Sequence, residues 1–144
     1  MGPEEVGRVL TEAKIENLKD VWDVERGRLA PDQARSATVT DALVDTGATL
    51  LSLPTPLIKR LGLQEFTTKH VRSSRGVSEA ALYDAVRLTI GDRSCTMDVL
   101  EVADDVPVLI GQLPLEHLDF VVDSRSRTLI GNPAHGGEHA YELY

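Results

Sequence analysis

The sequence predicts an all-β, barrel-like fold carrying one or two short helices, and three observations lead there. Apolar and polar residues alternate over several short segments, Gly-centred turns separate those segments, and only brief stretches carry helix punctuation. From Val6 to Asn17, Val9, Thr11, Ala13 and Ile15 fall on one face of a strand, although Glu12, Lys14 and Glu16 also suit an exposed helix. Leu18 to Arg35 holds Trp22, several charges and the breakers Gly27 and Pro31, and reads as an irregular connection in which Trp22 is a core plug.

Ser36 to Val44 is the next strand and ends abruptly at Asp45-Thr46-Gly47. A second apolar run, Leu50 to Leu53, leads into a short helix for which Thr55 is the cap, Pro56 the first turn and Gly62 the stop. Lys69 to Val77 and Ser78 to Ile90 form the arms of a hairpin around Gly76, and Gly91-Asp92 turns into another. Val106 to Gly111 is a buried-strand candidate, Pro114 to Leu118 a short helix, and Phe120 to Val122 with Thr128 to Ile130 a last strand pair. An apolar strand ending in Gly, followed by a short Pro-Leu helix, occurs at Val44 to Leu61 and again at Leu109 to Leu118, a weak internal duplication.

With 144 residues, 42% of them hydrophobic, the chain is long enough for one sizeable core and short for two, so residues 1–144 are read as a single domain with its core at about 6–130 and a tail at 131–144. Aromatic residues make up only 4%, which leaves little for stacking on nucleic-acid bases, and a net charge of −8 opposes encounter with phosphate backbones or anionic membranes. No nucleic-acid or membrane partner is expected. The one cysteine, Cys95, has no intrachain partner and reads as an ordinary buried strand residue, which fits a reducing compartment; the first ten residues are not built like a signal peptide, so the expected location is the cytoplasm.

The chemistry concentrates at Ala42-Leu43-Val44-Asp45-Thr46-Gly47-Ala48, where a carboxylate stands at the meeting of an apolar strand and a tight turn. Hydrolysing a peptide without a metal or a covalent intermediate needs a base for water and an acid for the carbonyl oxygen. Two close carboxyls supply both, because like-charge repulsion makes them share one proton and titrate as a unit. The chain has a single Asp-Thr-Gly, so the second carboxyl must come from another chain. No cofactor is required.

Asp45-Thr46-Gly47-Ala48, preceded by Leu43-Val44 and followed later by Leu109-Ile110-Gly111 and its helix, resembles the retropepsin-like aspartic proteases. The resemblance runs from about Val6 to Ile130, is nearest to small prokaryotic members, and includes Ile15-Glu16-Asn17 and Leu53-Pro54. It implies a closed β-barrel homodimer with the cleft at the subunit interface, acting as an endopeptidase on peptide or protein substrates. On that resemblance Asp45 is catalytic, Thr46 braces the two active-site loops across the dimer axis, Gly47 positions the carboxylate, and Arg75, Gly76 and Val77 form a flap over the substrate. Ala48 lacks the hydroxyl that favours an ionised carboxylate, which extends the expected activity to mildly acidic or near-neutral pH. Gln112 stands where family members often carry Arg or Asn, and Arg75 where viral relatives mostly have Gly.

Competing readings stay open beside this one. Asp45 also fits a plain turn aspartate in a structural β-barrel subunit, and the domain also fits a dimeric peptide-binding module that hydrolyses little. His135 and His139 have ligand-like spacing, but Gly136 and Gly137 oppose a helix there, so a polar tail is expected and no metal site; Asp92 and the Asp104-Asp105 pair are read as hairpin-turn residues, and His70 and His117 as isolated.

Overall fold

A computed structural model of the protein describes residues 8–142. The expected strand from Val6 is therefore seen as β1, Val9–Asn17, with Val6 itself outside the described residues. Val9, Ala13 and Ile15 are buried on one face while Glu12 and Lys14 point out, the period of a half-buried strand rather than of a helix.

The connection expected to be irregular contains a helix, α1, Leu18–Glu25, so the described residues hold three α-helices rather than one or two. Its cause is local. The Asn17 side chain accepts from the Asp20 backbone N–H at 3.1 Å and donates to the Leu61 carbonyl at 2.8 Å, capping α1 while fixing its start against the rest of the fold. The buried Asp20 carboxylate then receives three hydrogen bonds from Arg35, from the backbone N–H, Nε and Nη2, at 2.8–3.1 Å. The Arg35 hydrogen bond holds the Asp20 pKa below the usual carboxylate value, against the burial that would raise it. Trp22 is not a core plug: it is half exposed on the outer face of α1, with the Arg26 guanidinium over its ring.

β2, Ser36–Val44, runs antiparallel to β1 and is followed by β3, Leu51–Pro54, and the helix α2, Thr55–Leu61. Thr55 does not cap α2; it is the first helical residue, and its hydroxyl donates to Glu101 at 2.7 Å across the fold. Gly62 does end α2, with a left-handed φ of 65°. β4, Glu65–Ser73, and β5, Gly76–Ile90, make the expected hairpin; β6, Arg93–Val102, makes the next, around Gly91-Asp92. β7 is short, Leu109–Ile110, because the preceding Val106 to Val108 forms no ladder, and Asp104-Asp105 sit in the turn entering it rather than in a hairpin. Helix α3, Gln112–Leu118, leads to the antiparallel pair β8, Phe120–Asp123, and β9, Thr128–Gly131.

The main sheet has the order β1-β2-β7-β3-β6-β5-β4, and β1 pairs with β5 as well. The pairings thus return on themselves from β5 to β1, leaving β4 outside the cycle. Ile15, Leu51, Leu53, Leu88, Val99 and Ile110 are fully buried at its centre, with Ile58 and Leu61 of α2 and Leu115 and Leu118 of α3 packed onto them. Cys95 lies in this aliphatic core, where burial pushes its thiol up to about 11 and keeps it unreactive.

The segment expected to be a plain polar tail is tied down where it is described. Asp119, in a left-handed turn after α3 and buried, accepts from His135 Nδ1 at 2.7 Å, Asn132 Nδ2 at 3.2 Å and the Ala140 N–H at 3.0 Å. The buried Arg93 donates to the carbonyls of Leu118, Asp119 and Gly137 and lies over the Phe120 ring. The hydrogen bond to Asp119 raises the His135 pKa, helped by Glu142 at 3.2 Å; burial opposes charge on Asp119, but its three donors outweigh that and lower its pKa. A raised histidine stabilises docking fully below its ordinary pKa and loses that contribution as pH rises through the folded value, whereas a lowered carboxylate contributes above its ordinary pKa. Hydrogen exchange of the Gly137 and Ala140 amides is therefore expected to be slowest at mildly acidic pH and to accelerate at higher pH beyond the intrinsic rate. His135→Ala removes this pH dependence; its persistence in that variant would contradict the pairing.

Candidate active site

Asp45 follows the last residue of β2, and its backbone is fixed from the neighbouring strand: Leu43 N–H donates to the Val108 carbonyl at 2.8 Å and Asp45 N–H to the Ile110 carbonyl at 2.9 Å. The chain then turns tightly, with Ala48 N–H donating to the Asp45 carbonyl at 3.0 Å. Inside that turn the Gly47 N–H donates to Asp45 Oδ1 at 3.0 Å, which orients a half-buried carboxylate whose other oxygen has no protein partner among the described residues. A Cβ on Gly47 would lie 3.2 Å from that same Oδ1, tighter than an ordinary contact. Gly47 has no left-handed φ, so its value here is the space it leaves beside the carboxylate.

The duplicated strand-loop-helix unit packs against this turn. Gly111, Gln112 and Leu113 donate their N–H groups to the carbonyls of Leu50, Ala48 and Thr49 at 3.1, 2.8 and 2.9 Å. The two loops are laced backbone to backbone, an approach possible only because residue 111 has no side chain: a Cβ there would meet the Leu50 oxygen at 2.5 Å and the Ala48 oxygen at 2.7 Å. Matched on its glycine, the second unit carries Leu109-Ile110-Gly111 where the first carries Asp45-Thr46-Gly47, so it braces the site without a carboxylate at the equivalent position. Gln112 turns along its own helix, donating to Glu116 at 3.2 Å.

The other residues singled out in the sequence fall in two places. Thr46 is exposed beside Asp45, and its hydroxyl makes no hydrogen bond among the described residues; Ala48 is half-buried under the turn. Arg75, Gly76 and Val77 lie at the tip of the β4–β5 hairpin, with Arg75 N–H donating to Ser73 Oγ at 3.2 Å, Gly76 at a φ of 106° and Val77 64% exposed. Sequence reasoning missed the roles of Val108 and Ile110, whose carbonyls hold the Asp45 loop. Their signal is hidden because any residue supplies a carbonyl. Among the described residues no group of three His, Cys, Asp or Glu side chains is placed to hold a metal ion, and no helix is long and apolar enough to cross a membrane.

The signature of the aspartyl protease family matches residues 36–114, from the start of β2 to the first turn of α3. The chain belongs to that family. Among solved structures it is similar to the EIAV protease complexed with the inhibitor HBY-793, with a TM-score of 0.51 and 21% identity over 76% of this chain and 86% of that one. At that identity the likeness establishes the fold, which is retropepsin-like. No curated protein matches the chain.

The lacing around Gly111 gives a direct check on the site. Gly111→Ala is expected to cost about 1–3 kcal/mol, the range for overpacking against atoms that cannot step aside, read as a lower urea midpoint. An unchanged midpoint would mean that the two loops are not in contact as described.

Proposed function

We propose that the protein is an aspartic endopeptidase whose active site is completed by a second copy of the chain, each subunit contributing Asp45. The observation that carries this reading is the orientation of the Asp45 carboxylate by the Gly47 N–H, on a turn laced to the Gly111 loop, in a chain of the aspartyl protease family. One carboxyl cannot act as acid and base at the same moment, and the second strand-loop-helix unit of the chain carries Leu109, not a carboxylate, at the position equivalent to Asp45. In the proposed dimer the whole chain is one retropepsin-like domain and its strand cycle a closed barrel, with the cleft between the two subunits.

The two Asp45 carboxyls share one proton and hold a water molecule between them. The ionised member takes a proton from the water as it attacks the peptide carbonyl carbon, while the protonated member gives its proton to the carbonyl oxygen. The tetrahedral intermediate breaks when its nitrogen is protonated by the dyad, releasing amine and carboxylic acid. Thr46, exposed and with a hydroxyl that makes no hydrogen bond among the described residues, pairs with its counterpart across the axis, and the hairpin tip at Arg75, Gly76 and Val77 covers an extended peptide bound by strand-like hydrogen bonds. Neither metal nor cofactor takes part. Ala48 offers the dyad no hydroxyl, so activity is expected at mildly acidic to near-neutral pH.

Cleavage of a diverse peptide library by the native chain and by Asp45→Asn, with dimer content recorded in the same samples, tests this. Asp45→Asn is expected to remain dimeric and to lose at least about 10²–10⁴-fold in rate, the span of a lost acid–base group. Thr46→Ala is expected to weaken association, so that its activity rises more steeply than linearly with protein concentration. Dimers that cut nothing would favour a peptide-binding module, and a chain that stays monomeric would refute the shared site.

A further inference from the structure

The hairpin tip has a charge pattern that the reaction itself does not require. Residues 69–76 carry Lys69, Arg72 and Arg75 and no acidic residue, in a chain whose net charge is −8. Beyond the Leu82–Leu100 pair this segment hydrogen-bonds only within its own hairpin, and all three cations are exposed. None of the three forms a salt bridge among the described residues.

Register separates the three. Lys69 lies opposite Ala80, Val71 opposite Ser78 and Thr67 opposite Leu82, so these side chains share one face; Leu82 lies opposite Leu100 and Leu100 opposite Ser52, which makes this the face of Ser52 in β3, the strand that follows the Asp45 turn, and not the face of Tyr83 and Val99, which packs on the core. His70 opposite Glu79 and Arg72 opposite Val77 share the other face, that of Tyr83, where Glu79 lies 3.5 Å from His70. Lys69 is thus a cation on the Ser52 face, whose same-face neighbours Val71, Ser78 and Ala80 are uncharged and small enough to leave space around the ammonium. Arg75 sits at the turn, reachable from either side.

We infer that Lys69, supported by Arg75, selects substrates with an acidic side chain close to the scissile bond, so that the preferred substrates are acidic extended peptides. This rests on the endopeptidase reading, in which the hairpin closes over the bound peptide. The rest of the acidic surface repels such a substrate, so the attraction is confined to the flap and places the acidic residue beneath it. A lysine is a mobile point charge rather than a fixed fork, so the preference takes Asp and Glu alike.

The test uses paired peptide libraries identical except for Glu or Gln at each position in turn, read both by cleavage with the native chain and by fluorescence binding to the uncleaving Asp45→Asn protein. Glu members are expected to win by about two- to fivefold at one or two positions, the range of a partly exposed ion pair, and to lose that advantage in high salt. Lys69→Glu removes or inverts the preference, while Arg72→Glu, an identical charge change on the opposite face of the hairpin, leaves it standing. Equal handling of Glu and Gln by the native protein would overturn the inference, as would an Arg72→Glu effect equal to that of Lys69→Glu, which would reduce it to unspecific attraction. If nothing is cleaved, the endopeptidase reading fails, and the binding arm still decides the inference: a Lys69-dependent Glu preference sustains it, and none overturns it.

Discussion

The fold around Asp45 depends on a single constraint, the close approach of two loops through backbone groups alone. Beyond the β2–β7 ladder itself, five hydrogen bonds join the 43–50 segment to the 108–113 segment, and Gly111 is the point where the loops touch. Each such bond is worth only about 0.5–1.5 kcal/mol net, but a donor left unmade beside the core costs about 1–3 kcal/mol, so the lacing is all or nothing. It fixes where the carboxylate stands without spending a side chain on the task. At the exposed edge of the turn lie Thr46 and the Asp45 oxygen that has no partner among the described residues, the groups that the proposed second subunit and water would meet.

Around that centre the molecule divides into a rigid part and an exposed part. The buried Leu and Ile residues of β3, β7, α2 and α3 hold the two loops from behind, and Asp119 with Arg93 clamps the segment after β9 against the end of α3. Because α3 begins at the loop that braces Asp45 and ends at the clamp, the C-terminal segment supports the site through one short helix. The β4–β5 hairpin is the opposite case: most of its side chains beyond Leu82 are exposed, which suits an element that moves over a ligand.

Much of this was legible in the sequence, for reasons that can be named. Alternation over β1 and β5, the Gly76 and Gly91 turns, the Gly62 stop and the Asp-Thr-Gly are local signals, and local signals survive into the fold. What was missed depends on contacts distant in sequence. Helix α1 hides behind a strand residue, Asn17, that doubles as its cap and is held by Leu61, and behind charges that a polar loop would also carry. Thr55 looks like a cap until Glu101 is brought beside it. Trp22 is read inward by size alone, yet the face of α1 that carries it points outward, and the tail reads as loose because nothing near it announces Asp119 and Arg93.

The account stands or falls on the site being shared between two chains, and subunit mixing addresses that most directly. Native protein titrated with Asp45→Asn at constant total concentration, after exchange of subunits, is expected to lose activity as the square of the native fraction, because only dimers with two Asp45 carboxyls cut. A linear decline would show that one Asp45 suffices, and the shared dyad would have to be abandoned.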